Sequence, residues 1–448
     1  MRSERRAGGL PSSDVYNADL FVSTYRERVR YCPHLGGWLL RDGSRWRIDE
    51  TDAIVGLATE LAKHCYEEWC SAARGKEPWN WLRRINSSAG INAMLSLAKT
   101  NRDIVVTPAE LDTAHTLLPT SNALIDLATG LPIEDSTDIL FTKAAGTLYQ
   151  EDASCPTWLR FMDVFTDGDK ELERYIQKAV GYSLSGETTE QCFFFLYGLG
   201  CNGKSTFIAV LQKLLGSYAV GIPAKTLLDQ RSDAIPNDLA RTRGARVAVA
   251  SEIPQDANLN EARVKDLTGG DIVTARFLHR EYFDFRPTAK HWLYGNHRPR
   301  IRGYDPGIWR RIHCIPCDAK ISDDQRDPDL LSKLERELPG VLNWGLAGFR
   351  LWANGGLGMP DSVRRSSSRY RREMDPIEAF LDSCTEKQAD AEVKASRLYE
   401  AYIAWSERNK RSPLSQTQFG RLVCARPEVS KIRKSDGIKY RHLRLRAG

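Results

Sequence analysis

Nine consecutive residues carry the clearest chemical instruction in this chain: Gly198-Leu199-Gly200-Cys201-Asn202-Gly203-Lys204-Ser205-Thr206. Gly198 and Gly203 are separated by four residues and followed at once by Lys204-Ser205, the spacing of a phosphate-binding loop. A polyphosphate wrapped by backbone N–H groups needs loop positions without side chains, and Gly198, Gly200 and Gly203 supply them. Lys204 would reach the β and γ phosphates, and the Ser205 hydroxyl would take one position on Mg2+. The competing reading is a glycine-rich turn with no ligand. The flanks favour the loop, because the apolar run Phe193-Phe194-Phe195-Leu196-Tyr197 precedes it and the helix-compatible FIAVLQKLLG follows. ATP and Mg2+ are the expected ligands, and the motif alone leaves the reaction open.

Four further groups fall after the loop in an order that suits nucleotide hydrolysis. The run Arg246-Val247-Ala248-Val249-Ala250-Ser251-Glu252 reads as a buried strand ending in an acid. There Glu252 could hold Mg2+ and polarise an attacking water, with Ser251 assisting; an ordinary strand-end glutamate is the bland alternative. His291 to Asn296 reads as the next strand, and the Asn296 amide could hydrogen-bond the γ-phosphate or the lytic water. Arg310 and Arg311 could stabilise the transferring phosphoryl group, reaching it from a neighbouring subunit, or could simply be solvated. Between acid and asparagine, Val264 to Lys290 holds a hairpin pattern with Arg276 on one arm and His279-Arg280-Glu281 at its tip. From Arg276 to Arg311 nine Lys/Arg stand against three Asp/Glu, a balance that suits contact with nucleic-acid phosphates.

These groups need elements to carry them. The 448 residues, 42% hydrophobic, are enough for about three domains. Residues 1–13 read as disordered. Residues 14–155 read as a mainly helical domain that includes a hairpin turning at Asp42-Gly43, helical spacing from Asp52 to Ala98 broken at Pro78, and a second hairpin-like piece from Leu117 to Ile133. Residues 156–355 read as the α/β nucleotide-binding domain, a mostly parallel sheet entered by two helices between Cys155 and Ser185. Residues 356–374, with Ser366-Ser367-Ser368 among arginines, read as a linker or a helix face. Residues 375–448 show three helical patterns and a terminal hairpin, the plan of a winged helix.

Charge and cysteine narrow the classes. The net charge of +6 is concentrated from Arg364 onward, where 20 Lys/Arg face 11 Asp/Glu, so the tail suits a polyanion. Within it, Arg426 to Arg446 carries eight Lys/Arg against two Asp/Glu, and Lys439 and Arg441 are candidate DNA contacts. The ten cysteines are irregularly spaced, which argues against a disulfide framework, and Cys314-Ile-Pro-Cys317 lacks the second pair that a zinc site needs. The sequence has no run long and apolar enough for a membrane span and no secretory signal, so a cytoplasmic location in a bacterial or infected host cell is expected.

Taken together, GLGCNGKST, AVASE, LTGGD with its hairpin, GNHRPRI and WRRI resemble the motifs of superfamily 3 helicases. More narrowly, the chain is similar to the helicase portion of phage- and plasmid-encoded primase-helicases, a group related to the poxvirus primase-helicase. WLLRDGSRW, ALIDLATG and the stretch Trp158 to Ser185 look like the domain before the ATPase, and DPIEAFLDSC to LSQTQFGRLV looks like the C-terminal winged helix. The resemblance implies an AAA+-like P-loop ATPase core in a homo-oligomeric ring, usually a hexamer. It further implies ATP at subunit interfaces, Arg310 or Arg311 acting in trans, and hairpins gripping single-stranded DNA, with 3′ to 5′ movement on forked DNA during replication of a mobile element. Relatives often carry an N-terminal primase. Here Asp167-Gly168-Asp169 is the nearest thing to a paired-carboxylate motif, so a separate primase or initiator partner is expected. Two other readings remain open: a DNA-binding initiator or regulator that ATP switches without processive unwinding, and a small-molecule kinase, which has no evident acceptor pocket.

Overall fold

A computed structural model of the chain describes every residue except 1–12, 72–78, 135–137, 230–236, 252, 255–256, 278–280, 302–304, 323–325, 410–411, 427–428, 436 and 447–448. At its centre are five parallel strands: β1 (Phe193–Tyr197), β2 (Ala219–Gly221), β3 (Val247–Ser251), β4 (Lys290–Gly295) and β5 (Ile312–Pro316), in the spatial order β5-β1-β4-β3-β2. Alternation along β1 sends Phe194 and Leu196 to one face and Phe193 and Phe195 to the other. Both faces are covered by helices, which is why these strands read as continuous apolar runs.

Helices α1 (Pro156–Phe165), α2 (Lys170–Leu184), α3 (Lys204–Leu215) and α5 (Leu338–Gly355) cover the face that holds Phe194 and Trp292. The opposite face is covered by α4 (Glu261–Gly269) and α6 (Asp361–Met374). Phe207 at the base of α3 stacks on Phe165 with ring centroids 5.3 Å apart and also meets Trp158 at 5.9 Å and Trp292 at 5.5 Å. This aromatic block fixes the first turn of α3 against α1 and β4. Asp167 and Asp169 belong to the turn between α1 and α2, a loop that caps a helix. There Asp169 caps α2 by accepting from the Glu171 and Leu172 N–H groups.

Residues 356–374 correct one expectation. Rather than a linker, most of this stretch is α6, with Val363 and Tyr370 buried against the sheet. The Cys314 N–H donates to Ser367 Oγ at 3.0 Å, the Ser367 hydroxyl donates to the Ile312 carbonyl at 3.2 Å, and the Tyr370 hydroxyl donates to the Pro299 carbonyl. Because β5 is an edge strand, its outer backbone groups need partners, and the serines of α6 supply them.

Before the sheet, helices Asp14–Tyr25, Ala53–Ser71, Trp79–Ile85 and Ser88–Ala98 accompany two small antiparallel sheets of three strands each. The turn at Asp42-Gly43 joins Gly37–Asp42 to Arg45–Ile48, with Gly43 at φ +61. Pro78 lies outside the described residues. After α6, helices Pro376–Cys384, Ala395–Arg408 and Gln416–Cys424 pack around Phe380, Tyr402 and Phe419. Strand Gly437–Leu445 pairs with Ser430–Lys434 and also with Thr385–Lys394, so the expected terminal hairpin is a three-stranded sheet.

Candidate functional site

The glycine loop emerges from the C-terminal end of β1 and closes on the N-terminus of α3. Gly200, Cys201 and Gly203 all have positive φ, +107, +48 and +81. At Gly198 a Cβ would lie 2.2 Å from the Cys317 carbonyl oxygen, and at Gly203 it would lie 3.0 Å from the Phe161 ring. The glycines are therefore needed both for the turn and for seating the loop against β5 and α1. Among the described residues, no hydrogen-bond acceptor engages the N–H groups of residues 199–206. A row of unsatisfied donors at a helix N-terminus suits a polyphosphate.

Lys204 is buried, and its ammonium donates to the Gly198 carbonyl at 2.7 Å and to Asn202 Oδ1 at 2.9 Å. Burial pushes its pKa below the ordinary lysine value. The Asn202 amide nitrogen donates in turn to the Cys317 carbonyl at 2.7 Å, so loop, lysine and β5 form one chain of hydrogen bonds. Ser205 is exposed on the first turn of α3. Residues 200–206 line an open cleft of about 720 Å³ with Ile253, Pro254, Tyr294, Gly295, Asn296 and His297. Asn296 thus faces the same space as Lys204, because β4 pairs with β1 in a register that sets Gly295 beside Tyr197. Ser251 ends β3 beside Tyr294; Glu252 lies outside the described residues. The residues present fit a nucleoside triphosphate with its cation. The loop N–H groups and Lys204 would hold the phosphates, and the Ser205 hydroxyl would hold Mg2+, which lends positive charge to the transferring phosphoryl. Among the described residues no group of three or more His, Cys, Asp or Glu could hold a metal by itself.

The two arginines lie elsewhere. Ile312 pairs with Phe193, so Arg310 and Arg311 precede β5 at the end of the sheet opposite the loop. Six residue steps of strand separate Arg311 from the level of Gly198, about 20 Å, which is beyond the reach of an arginine side chain within one subunit. Arg311 is buried, donating from Nε to Thr268 Oγ1 at 3.0 Å and from Nη1 to the Gly307 carbonyl at 2.6 Å. Arg310 is exposed and donates to Gln191 Oε1 at 2.8 Å.

Strands Val273–Arg276 and Tyr282–Phe285 form the hairpin between β3 and β4, and the Arg276 guanidinium lies 5.1 Å from the centre of the Tyr282 ring. His279 and Arg280 lie outside the described residues. In the C-terminal module, Arg441 Nε donates to Glu392 at 3.3 Å, Lys434 meets the same carboxylate at 2.6 Å, and Lys439 stands 4.0 Å from it. The Lys434 ammonium and the Arg441 guanidinium hold the Glu392 carboxyl below its ordinary pKa. The sequence reading could not see this cross-strand carboxylate. It also missed Arg326, whose Nη2 contacts the Cys201 sulfur at 2.9 Å, and Arg298, which lies 3.9 Å from the centre of the Tyr197 ring and pairs with Glu373 of α6. Only the position of Arg298 inside GNHRPRI signalled it.

The arrangement is a strand, glycine loop and helix set into a five-stranded parallel sheet, and comparison with known proteins gives its relatives. Residues 18–167 match "D5 N terminal like", residues 372–423 match "Poxvirus D5 protein-like", and residues 196–311 match a family of unknown function, DUF5906. The chain is thus similar to primase-helicase proteins of the poxvirus D5 type, in its N-terminal third and again in its C-terminal part. It is 25% identical over 445 residues to "Putative helicase L207/L206" of Acanthamoeba polyphaga mimivirus, covering 90% of this chain and 46% of that one. "Putative helicase 022R" of Frog virus 3 is 27% identical over 59% of this chain and 29% of its own length. "Putative primase C962R" of African swine fever virus (isolate Warthog/Namibia/Wart80/1980) is 31% identical over 47% of this chain and 24% of its own. The chain thus spans less than half the length of these relatives. The apo structure of the NrS-1 C-terminal region shares the fold at 11% identity, with a TM-score of 0.51 over 99% of this chain and 100% of that one.

Proposed function

We propose that this chain is the ATP-driven motor of a replicative DNA helicase. The observation that carries the reading is the cleft shared by Lys204, at the start of α3, and Asn296, just past the C-terminal end of β4, with β4 standing between the loop strand β1 and the strand that leads to Glu252. That order supports an AAA+-like core of the superfamily 3 type. ATP binds along residues 198–206 with Mg2+ on Ser205. Glu252 orients a water that attacks the γ phosphorus, the bond to the β–γ bridging oxygen breaks, and the water's proton passes to solvent through the carboxylate. Asn296 reports the loss of the γ-phosphate. Because Arg311 is occupied in the fold, Arg310 is the residue proposed to complete the site of a neighbouring subunit in a ring, usually a hexamer.

In this reading residues 14–155 precede the motor, residues 156–374 form it, and residues 375–448 are a winged helix that contacts DNA through Lys439 and Arg441. The hairpin bearing Arg276, His279 and Arg280 grips single-stranded DNA and moves 3′ to 5′. Priming is left to a separate protein or to another part of a longer one. The test measures ATP hydrolysis with and without single-stranded DNA, then strand displacement on a forked duplex, with Lys204→Ala as the inactive control. No stimulation by DNA together with no displacement would remove the motor reading.

A further inference from the structure

Helix α6 carries more positive charge than its packing uses. Its inward positions, the buried Val363 and Tyr370 and the half-buried Ser366 and Ser367, fall on one side at helical spacing. Arg365, Arg369 and Arg372 are exposed and fall at i, i+4 and i+7 on the opposite side, with Arg371 and Arg364 flanking them. Two of the surrounding charges are already engaged: Arg364 stands 3.8 Å from Asp361, and Glu373 pairs with Arg298 at 2.5 Å. Among the described residues, Arg365, Arg369, Arg371 and Arg372 make no hydrogen bond or ion pair. Like charges at this spacing destabilise a helix by about 0.2–0.5 kcal/mol per pair, so folding gains nothing from the stripe.

We propose that this stripe on α6 is a binding surface for the sugar-phosphate backbone of nucleic acid. The proposal rests on the DNA-motor reading above and adds to it a surface outside the hairpin and the C-terminal sheet. Between Arg365 and Arg372 the helix rises about 10 Å, which lets successive guanidiniums meet successive phosphates of one strand. A protein partner would want an apolar centre to bury, and a membrane surface would want an apolar flank. The exposed face offers neither, since Ser368 is the only uncharged residue among the arginines there. It can read repeated negative charge and no base identity. Its position is apt, because α6 ends at Asp375, whose carboxylate caps the first helix of the C-terminal module and pairs with Arg426.

The test compares the full chain with Arg365→Gln/Arg369→Gln/Arg372→Gln and with the matching triple Lys variant. Binding of a mixed-sequence, fluorescein-labelled single-stranded oligonucleotide is followed by anisotropy across a salt series. If each guanidinium neutralises one phosphate, the slope of log K against log salt falls by about 2 in the Gln variant. Taking equal affinity near 1 M salt, that slope difference means binding weakened about 500-fold at about 0.05 M and about 30-fold at about 0.2 M. The Lys variant should keep the wild-type slope. Thermal unfolding checks that each variant is folded, and a photo-crosslinking residue at Ser368 in the otherwise wild-type chain should trap the oligonucleotide.

A Gln variant with wild-type slope and affinity, or no crosslink at Ser368, overturns the stripe while leaving the motor reading standing. A Lys variant that loses binding as fully as the Gln variant shows that charge is not the reason and overturns it too. If the stripe governs binding to polyglutamate or anionic vesicles and not to the oligonucleotide, the occupant is wrong. Failure of the wild type to bind nucleic acid at any salt overturns the stripe and the motor reading together.

Discussion

Arg310 and Arg311 are adjacent in sequence and should fail in different ways. Arg311→Ala removes two hydrogen bonds from a buried guanidinium, leaving the Gly307 carbonyl without its partner and loosening Thr268 of α4. With bonds to a charged donor worth about 1.5–3 kcal/mol each and some water entering the gap, the loss is about 3 kcal/mol. For a domain of this size that lowers the unfolding temperature of the central unit by about 6–12 °C. Arg310→Ala removes an exposed contact to Gln191 and should change stability by less than about 0.5 kcal/mol. If Arg310 completes a neighbour's site, its loss lowers turnover by about 10³–10⁵-fold in the assembled protein, as for an arginine supplied in trans. The assay titrates protein concentration, then mixes Arg310→Ala with Lys204→Ala subunits. Each defect spoils a different half of the interface, so mixed assemblies regain some intact sites. The reasoning is refuted if Arg310→Ala hydrolyses ATP like wild type at every concentration, or if Arg311→Ala loses turnover with no change in unfolding temperature.

Other positions give separate checks. Gly198→Ala should abolish binding of a fluorescent ATP analogue, because its Cβ would lie 2.2 Å from the Cys317 carbonyl oxygen and 2.4 Å from Asn202 Nδ2, and neither can move without breaking the loop's seat on β5. Trp158→Ala should cost about 3–5 kcal/mol in a denaturant titration, since the indole is 1% exposed and packs on Phe161, Phe207 and Trp344. Burial lowers the pKa of His291 and of His313 to about 4 from an ordinary 6.5, with the Lys290 charge adding to the effect at His291. Between those values the unfolded chain binds more protons than the folded one, so stability is full above pH 6.5 and falls as pH drops toward 4. By about pH 5 each histidine should have removed about 2 kcal/mol, and His313→Gln should flatten its share of a denaturation-versus-pH curve.

What the sequence made legible was what local chemistry dictates. The apolar run into Gly198, the Asp42-Gly43 turn and the two helices before β1 follow from period, turn residues and caps that lie within a few residues of each other. Distant partners decide the rest. Thr385–Lys394 has no apolar alternation and becomes a strand only because Gly437–Leu445 offers it an edge. β5 hid behind the chemical interest of the arginines before it, and the serines of α6 looked like linker composition. Their work is to satisfy the backbone of β5, which is visible only once β5 is known to be an edge. Lys439 and Arg441 read as open DNA contacts because Glu392, more than forty residues upstream, was invisible as their neighbour.

β5 is the element on which these observations meet. At its C-terminal end the Cys317 N–H donates to the Tyr197 carbonyl at 2.8 Å, the Cys317 carbonyl accepts from Asn202, and farther on the Ile321 N–H donates to the Cys201 carbonyl at 3.1 Å. Arg310 and Arg311 precede its other end, and α6 lies along its outer edge. Lys204 spends two of its three ammonium protons on Gly198 and Asn202, so the third is left for a phosphate while the first two tie the lysine to the loop. The far side of Asn202 is the β5 backbone, so a change at the lysine is transmitted to β5 through a single side chain. A rigid strand held at one end by the loop, preceded by the arginines and sealed by α6 makes separate adjustment of these three parts sterically difficult. For that reason the arginine pair, the loop glycines and the α6 stripe, tested separately above, are best understood as parts mounted on one strand.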